Sequence, residues 1–495
     1  MSKVKEKINR YFDAAFPIIL YKVIEEAKAV ELLKELAPSR RIIEWSTSEC
    51  KDTTIPNLDD YTLDNMLSIL YEDASLELRN SLLIIKDSVS FIDNPRVIGY
   101  LKRLAQMITD GEIEDCTIVI VGQNIKIPDE LELYVSIIED EPLTHEEIGK
   151  IIEQFCADYE IIADKQLQYI LSNAFKGLCE YDIINILALA YANDGELTES
   201  DIDLILEHKR QIVQRTSVLE MVPLKESIHD IGGLNSLKEW ITKKEKIFNN
   251  IEAAKEFGVD IPKGVLIAGV PGCGKSLSAK AIAHLFKAPL LRLDMGRIMG
   301  KYVGESEENM RKAIALSESI APCVLWIDEI EKALSGVSGE GGNADITNRL
   351  LGSFLTWLQE KKSQVFVVMT ANKIDKLPPE LIRKGRMDEI FFVDLPNQEE
   401  RTKIFEIHIN SRRPKDSASI HLDKLVKQTE GYSGADIEGV VKDAVETAFT
   451  NNRSSITTED IETAISKSYP LKEIMKEQIE AMVKIYKEKK FKSAT

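Results

Sequence analysis

The stretch Gly269–Ser276, GVPGCGKS, limits the possible folds of this chain more than any other segment. It matches the pattern G-x-x-x-x-G-K-[ST] without a mismatch. The apolar run Val265–Ala268 before it predicts a buried strand, and the run Leu277–Ala283 after it predicts a helix. Such a loop surrounds a phosphate group with backbone N–H groups and a helix N-terminus. We therefore expect Lys275 to reach the β- and γ-phosphates and the Ser276 hydroxyl to ligate Mg²⁺; the alternative is a glycine-rich turn that binds nothing.

Two further strands end in polar side chains. The apolar run Val324–Ile327 is followed by Asp328 and Glu329, and the run Val365–Thr370 is followed closely by Asn372. Parallel strands of one sheet bring their carboxyl ends to one rim. We predict that Asp328 lies near the Mg²⁺, that Glu329 activates a water and that Asn372 orients this water or contacts the γ-phosphate. Taken alone, each of these residues is equally typical of a solvated turn.

The composition excludes several other classes of protein. The chain has 495 residues and a formal net charge of −19, which opposes non-specific binding to nucleic acid and to anionic membranes. Its 6 cysteines form no C-x-x-C pair, which is typical of a reducing compartment. No apolar stretch reaches the roughly 20 residues of a membrane span. We expect a protein of the cytoplasm, or of the chloroplast stroma if it is plastid-encoded, with no nucleic acid partner.

The order of apolar runs predicts an α/β fold that occurs twice. Strands that alternate with helices indicate a parallel sheet covered by helices. The predicted fold is a P-loop NTPase sheet with a helical lid, preceded by a degenerate α/β domain with its own helical subdomain. The predicted boundaries are 1–142 for the degenerate α/β domain, 143–215 for its helices, 216–227 for a linker, 228–395 for the nucleotide-binding subdomain, 396–468 for the lid and 469–495 for a basic amphipathic helix.

Short matches in the same order support this duplication. Gly177–Ile183 aligns with Gly431–Ile437 without a gap, and Leu197–Asp203 aligns with Ile456–Glu462. Two unrelated α/β domains with similar turns are the alternative. No glycine loop follows the strand that ends at Val23, so we predict that the first half keeps the fold but has lost nucleotide binding.

These motifs together resemble the AAA family of the AAA+ ATPases over about residues 228–468. GVPGCGKS resembles Walker A, WIDE resembles Walker B, TANKID resembles the sensor-1 segment and LPPELIRKGRMDEI resembles the second region of homology. The resemblance implies an ATPase with ATP and Mg²⁺ as cofactors. It also implies that the nucleotide is contacted by Asp230, Ile231, Gly232, Pro271, Gly272, Cys273, Gly274, Lys275, Ser276, Leu277, His408, Gly434 and Ala435.

The same resemblance implies a ring, expected to be a hexamer. Arg386 matches an arginine that the family supplies to a neighbouring subunit's site, although it could be a surface residue of a turn. Glu389 stands where the family usually has a second arginine. Lys301, Tyr302 and Val303 resemble a pore loop that grips an extended polypeptide; a core tyrosine is the alternative.

The first hypothesis is a Mg-dependent ATPase that forms a ring and remodels or unfolds a protein client. A nucleotide-gated assembly factor or regulatory scaffold, with hydrolysis as a timer, is the alternative, and a DNA-loading ATPase is disfavoured by the acidic charge. The layout of the whole chain resembles AAA ATPases encoded in chloroplast and cyanobacterial genomes and their bacterial relatives. The helix of residues 471–492 is expected to pack on the lid or on a neighbouring subunit rather than on a membrane surface.

Overall fold

The computed structural model describes residues 3–48, 50–51, 62–72, 74–87, 92–123, 125–214, 218–298, 305–334, 342–383 and 385–495. The predicted pore-loop residues Lys301, Tyr302 and Val303 lie outside the described residues. The chain forms two compact units, Met1–Ile151 with Cys179–Asn185, and Ile152–Leu178 with Ile186–Thr495.

The first unit is built on a sheet with the strand order β3-β2-β4-β5-β1-β6 in the described residues. Its strands are β1 (Ile18–Lys22), β2 (Arg41–Trp45), β3 (Cys50–Lys51), β4 (Ser81–Ile85), β5 (Cys116–Val121) and β6 (Val135–Glu139). β3 is antiparallel to β2, and the other pairings are parallel. The central strands are continuous apolar runs because both of their faces are buried. The helices of this region are α1 (Lys3–Asp13), α2 (Glu26–Leu36), α3 (Leu63–Glu72), α4 (Ala74–Glu77) and α5 (Pro95–Thr109).

Four helices occupy the segment for which a helical subdomain is predicted. They are α6 (His145–Asp158), α7 (Lys165–Phe175), α8 (Glu180–Asp194) and α9 (Ile202–Gln214). The segment 216–227, interpreted as a linker, contains the strand β7 (Leu219–Val222), which pairs antiparallel with β9 (Leu290–Leu293) of the second sheet.

The second unit contains a sheet with the strand order β13-β12-β8-β11-β10-β9-β7 in the described residues. Its other strands are β8 (Gly264–Gly269), β10 (Cys323–Ile327), β11 (Val365–Ala371), β12 (Glu389–Val393) and β13 (Lys492–Ser493). The helices of this α/β part are α10 (Asn235–Asn249), α11 (Ile251–Glu256), α12 (Lys275–Leu285), α13 (Met295–Ile298), α14 (Glu305–Ser319), α15 (Ile330–Leu334), α16 (Gly342–Glu360) and α17 (Pro379–Ile382).

The two sheets share one topology. In each, the five core strands lie in the spatial order fifth, first, fourth, third and second, namely β6-β1-β5-β4-β2 and β12-β8-β11-β10-β9. The prediction of a P-loop NTPase fold with a lid, preceded by a degenerate copy of the α/β domain, is therefore confirmed.

The register of the second sheet brings its polar strand ends together. β8 lies between β11 and β12, and β10 lies beside β11 with Ile327 opposite Met369. This register sets Asp328 beside Thr370, one residue beyond the paired strands. Since all these strands are parallel, the phosphate loop after β8 opens at the same rim.

The lid and the tail complete the second unit. The lid helices are α18 (Gln398–Arg412), α19 (Leu422–Gln428), α20 (Gly434–Thr450) and α21 (Thr458–Ser466). The tail contains α22 (Leu471–Ile474) and α23 (Lys476–Lys489), and then β13. Tyr486 of α23 stacks on Phe392 of β12 with ring centroids 4.5 Å apart. The helix α23 thus packs on the α/β subdomain of its own chain. The start of the tail contacts the lid as expected, because the Leu471 N–H donates to the Asp436 carboxylate at 3.3 Å. Packing on a neighbouring subunit, the other expectation, stays a prediction. Among the described helices, none is long and apolar enough to cross a membrane.

Candidate functional site

A cavity of about 480 Å³ lies at the carboxyl ends of β8, β10 and β11. Every nucleotide contact predicted from the sequence lines it, and so do Asp328, Glu329 and Asn372. It is also lined by residues that the sequence analysis did not assign, which are Leu234, Thr370, Asp394, Pro396, Glu400, Ile404, Ile407 and Glu438. The phosphate loop, both strand ends and the lid therefore face one cavity.

The phosphate loop touches the lid directly. Gly272 has φ +71°, and a Cβ at this position would lie 2.9 Å from the Ser433 hydroxyl and 3.0 Å from the Ala435 Cβ. The N–H of Ala435 donates to the carbonyl of Gly272 at 3.0 Å. Glycine is required here because both the left-handed backbone and the close approach of the lid exclude a side chain.

Lys275 is buried at the base of the cavity, with an exposed fraction of 6%. Its ammonium donates to the carbonyl oxygens of Gly269 at 3.0 Å and of Val270 at 2.7 Å. Burial lowers the pKa of Lys275 to about 8. Because an anionic ligand favours the charged form of a lysine, phosphate groups in this cavity would offset the cost of its burial.

Asp328 lies between two hydroxyl groups. The Ser276 Oγ donates to the Asp328 Oδ1 at 3.3 Å, and the Thr370 Oγ1 donates to the same oxygen at 2.5 Å. The Thr370 hydroxyl in turn accepts the backbone N–H of Glu329 at 3.0 Å. A serine hydroxyl and a carboxylate are oxygen ligands of the kind Mg²⁺ takes beside phosphate oxygens, so this donor set fits the predicted metal.

Glu329 and Asn372 are in direct contact. The Asn372 Nδ2 donates to the Glu329 Oε1 at 2.8 Å, and the Lys332 Nζ forms an ion pair with the Glu329 Oε2. Glu329 has φ +49°, a conformation that is uncommon for a residue with a side chain. This conformation turns the chain from β10 into α15 and leaves the carboxylate at the cavity. Strain of this kind is concentrated at functional sites.

The lid supplies its contacts from the start of α20 and from α18. Ser433 and Asp436 form a capping box, in which the Ser433 N–H donates to the Asp436 carboxylate at 2.8 Å and the Asp436 N–H donates to the Ser433 Oγ at 3.2 Å. This cap places Gly434 and Ala435 at the cavity. His408 of α18 also lines the cavity, and burial lowers its pKa, which favours the neutral imidazole.

The segment Asp230–Leu234 is fixed by carboxylates at both ends. The Asp230 carboxylate accepts the Ser227 N–H at 2.7 Å, so it stabilises its own turn. The Leu234 N–H donates to the Glu400 Oε1 at 3.1 Å. Glu400 also accepts the Asn397 N–H in the capping box that starts α18. The pattern N-x-x-E predicts this capping box from the sequence, but nothing local indicates the contact with Leu234.

Arg386 lies elsewhere. No described residue that lines the cavity comes from its loop. Its guanidinium donates to the backbone carbonyl of Glu380. Glu389, at the family's second arginine position, forms an ion pair with Lys492 of the tail.

Comparison with known proteins relates each part of the chain to AAA proteins. Residues 265–395 match the ATPase family associated with various cellular activities (AAA), and residues 419–463 match the AAA+ lid domain. Residues 4–139 match the N-terminal domain of SpoVK-like AAA ATPases, and residues 146–216 match the second domain of that group.

Relatives in other organisms extend this similarity. The AAA domain-containing protein ycf46 of Pyropia yezoensis is 37% identical over 472 residues, which are 94% of this chain and 94% of the relative. The predicted resemblance to AAA proteins of chloroplast genomes is therefore confirmed. A proteasome-activating nucleotidase of Sulfurisphaera tokodaii is 35% identical over 54% of this chain and 68% of its own length. The cell division cycle protein 48 homolog of Archaeoglobus fulgidus is 32% identical over 50% of this chain and 34% of its own length.

Proposed function

We propose that this chain, which belongs to the AAA family of ATPases, is a Mg-dependent ATP hydrolase that forms a hexameric ring and remodels a protein client. The observation that carries the proposal is the single cavity at which the phosphate loop, Asp328, Glu329, Asn372 and the lid meet. The protein acts in the cytoplasm, or in the stroma where it is plastid-encoded, and nucleic acid is not its substrate.

Each group at the cavity has a role in phosphoryl transfer to water. Lys275 binds the β- and γ-phosphates, and Ser276 and Asp328 hold Mg²⁺, which neutralises charge on the phosphates when bound. Glu329 accepts a proton from the attacking water, because its carboxylate lies at the cavity and is held by the Asn372 amide at 2.8 Å. Asn372 keeps this carboxylate in place and contacts the γ-phosphate.

The nucleotide base is held on the other side of the phosphate loop. Asp230, Ile231 and Gly232 line the cavity, and so does His408 of the lid helix α18. The remaining lid contacts are those of Gly434 and Ala435 with the phosphate loop. Bound ATP therefore joins the α/β subdomain to the lid, so that hydrolysis changes the contact between them.

A neighbouring subunit completes the site in this proposal. Among the described residues, none from the Arg386 loop lines the cavity of its own chain, as expected for an arginine supplied in trans. Such a head-to-tail contact generates a ring when it closes. Tyr302 and its neighbours then line the central channel. One similar protein is by its name a nucleotidase that activates a proteasome, which supports a protein client.

The ATPase proposal is tested with Glu329→Gln. This variant keeps the shape of the side chain but removes the base, so we expect ATP affinity within a few-fold of wild type and a turnover lower by ~10²-fold or more. Glu256→Gln, which changes an exposed carboxylate of α11, is the matched control and should hydrolyse ATP as wild type does. Absence of Mg-dependent phosphate release by wild type, or full turnover by Glu329→Gln, would refute the proposal.

The ring and its action are tested separately. The particle mass of the Glu329→Gln variant in the presence of ATP should correspond to six copies of the chain. Arg386→Ala should lower turnover by ~10³-fold without loss of ATP binding. Tyr302→Ala should keep ATPase activity but lose work on the client. A monomer at saturating ATP would contradict the ring, and unchanged turnover of Arg386→Ala would contradict an arginine in trans.

A nucleotide-gated assembly factor is the second candidate. It is favoured by the ion pair between Glu389 and Lys492. Glu389 replaces the family's second arginine with the opposite charge, and its carboxylate is held by the tail of its own chain and not presented to a neighbour. In this case ATP controls association and hydrolysis acts as a timer. An intact cellular function in Tyr302→Ala, with ATP-dependent assembly retained, would favour this candidate over client remodelling.

A further inference from the structure

A third carboxylate, that of Glu331, lies behind the two that the mechanism uses. Glu331 is the second residue of α15 and has an exposed fraction of 5%. Its Oε1 accepts the backbone N–H of Asn372 at 3.0 Å. Glu331 is not among the described residues that line the cavity, and its hydrogen bond to a residue of the site is the one with the Asn372 N–H.

The environment of Glu331 is unfavourable for a carboxylate. Its Oε2 is buried and has no hydrogen-bond partner within the described part of the chain. Burial raises the pKa of Glu331, and the nearby Glu329 carboxylate raises it further, while the Lys275 ammonium lowers it. Burial of a carboxyl group with an unsatisfied oxygen is unfavourable for stability, so a contribution to stability does not explain why Glu331 is there.

Asn372 is held at two points by this arrangement. Its side-chain Nδ2 donates to Glu329, and its backbone N–H donates to Glu331. The two carboxylates are only two residues apart in the chain. Glu329 has φ +49°, so the chain turns immediately into α15, and both carboxylates reach Asn372. The backbone of Asn372, at the open end of β11, is thereby fixed relative to the carboxylate that its side chain contacts.

We propose that Glu331 is a positioning residue of the hydrolytic centre, which fixes the backbone of Asn372 so that the Asn372 amide holds the Glu329 carboxylate. This inference rests on the proposed ATPase function. It assigns to Glu331 an effect on the chemical step and not on nucleotide binding, since the contact lies behind the site.

The first test is steady-state and binding measurement on Glu331→Met, Asn372→Ala and the double variant. We expect Glu331→Met to lower kcat by ~10-fold or more with an ATP Kd within about two-fold of wild type, because misplaced catalytic groups lose rate and not affinity. The double variant should be no slower than Asn372→Ala alone, because Glu331 acts through Asn372 and has nothing to position once the Asn372 side chain is removed. A kcat of Glu331→Met equal to wild type, or multiplied losses in the double variant, would overturn the inference.

Conservative variants keep the test decisive if Glu331→Met does not fold. Glu331→Gln retains an acceptor at the same reach, whereas Glu331→Asp withdraws it by one methylene group. Positioning requires a clearly higher kcat for Glu331→Gln than for Glu331→Asp. An equal loss in both variants would assign the effect to charge and reject positioning.

Hydrogen exchange separates this inference from the ATPase proposal. The backbone N–H of Asn372 should be protected from exchange in the wild-type full-length chain. It should exchange faster by ~10-fold or more in Glu331→Met or Glu331→Asp, whether or not the protein hydrolyses ATP. Loss of hydrolysis in wild type with this protection intact refutes the proposed function alone. Unprotected exchange in wild type, or unchanged exchange in the variants, refutes the role of Glu331.

Discussion

At the scale of single residues, Thr370 joins the two acidic groups of the site. Its hydroxyl donates to the Asp328 carboxylate and accepts the Glu329 N–H, so one oxygen sets both the predicted metal ligand and the start of the turn that carries the base. A threonine inside an apolar strand gives no signal of this role in the sequence. The register of β10 with β11 creates the contact, because it sets Asp328 beside Thr370.

We predict that Thr370→Val lowers kcat by ~10-fold. We also expect it to raise the Mg²⁺ concentration that gives half-maximal ATPase activity, because the Asp328 carboxylate is less well held. Valine keeps the shape but removes both hydrogen bonds, so the carboxylate and the turn lose their common partner. ATPase rates over a Mg²⁺ titration measure this effect. Thr463→Val, which removes an exposed hydroxyl of α21 bonded to the Glu459 carbonyl, is the control. Equal Mg²⁺ titrations for Thr370→Val and wild type would contradict the prediction.

Lys209 is a second residue with a contact that the sequence does not indicate. Its ammonium is buried, with an exposed fraction of 1%, and donates to the Lys176 carbonyl at 2.7 Å. Burial lowers the pKa of Lys209 from the ordinary value of 10.5 to about 8. Because the folded-state pKa lies below the unfolded one, the unfolded chain binds more protons between pH 8 and 10.5, and stability rises with pH in this window.

We predict that Lys209→Met removes this pH dependence. Between pH 7 and pH 10 the free energy of unfolding of wild type should rise relative to that of Lys209→Met by roughly 2 kcal/mol, since one pKa unit corresponds to about 1.4 kcal/mol. The comparison cancels other groups that titrate in both proteins. Chemical denaturation at both pH values measures the difference. A constant difference between the two proteins would show that Lys209 keeps its ordinary pKa.

At the scale of elements, long periodic segments and motifs could be predicted, and short edge strands could not. β10 was expected at Val324–Ile327, within the strand that the structure has, because a buried parallel strand is a continuous apolar run. β6, β7 and β13 were missed because edge strands of two to five residues carry little pattern and depend on their partner strand. In the site, motifs predicted the cavity lining, whereas Glu400 and Glu331 act through contacts between distant elements.

The last residues of the tail, at and after β13, form hydrogen bonds with three separate elements of the second unit. The Ala494 N–H donates to the Phe392 carbonyl at 3.0 Å, and the Ala494 carbonyl accepts the Leu237 N–H at 3.1 Å. The Thr495 Oγ1 donates at 3.1 Å to the Glu400 Oε1, the oxygen that also accepts the Leu234 N–H. A Cβ at Gly233 would lie 2.4 Å from the Glu400 Cγ, so this segment packs tightly on the lid. The tail therefore links β12, α10 and the first lid helix.

We predict that Ala494→Asp destabilises the second unit and weakens ATP binding. Ala494 has an exposed fraction of 0%, so a carboxylate at this position would be buried without the solvent that an exposed side chain has. Such a change costs roughly 2–3 kcal/mol and should lower the melting temperature by about 5 °C or more. Ser493→Asp, on the exposed side of β13, is the control. Equal melting temperatures would mean that β13 does not pair in solution.

At the scale of the whole molecule, one fold occurs twice with different content. In the alignment of Gly177–Ile183 with Gly431–Ile437, Tyr181 corresponds to Ala435. The Ala435 N–H contacts a phosphate-loop carbonyl, whereas the Tyr181 N–H donates to the Glu25 Oε1 at 3.1 Å. Lys28 forms an ion pair with Glu180 beside it. Carboxylates and an ion pair thus occupy the position where the first half would bind phosphate.

We predict one ATP per chain, bound only by the second half. Carboxylates repel the phosphates of ATP, and the ion pair of Lys28 leaves no cation of that pair for them. Calorimetry on the full chain should give a stoichiometry of one for wild type, no measurable binding for Lys275→Ala and wild-type binding for Lys28→Ala, the matched lysine of the first half. The control matters because a loss of binding in both variants would indicate general misfolding. Residual ATP binding by Lys275→Ala that disappears when Lys28→Ala is added would place a second nucleotide site in the first half. This result would reject the prediction that the first half has lost nucleotide binding.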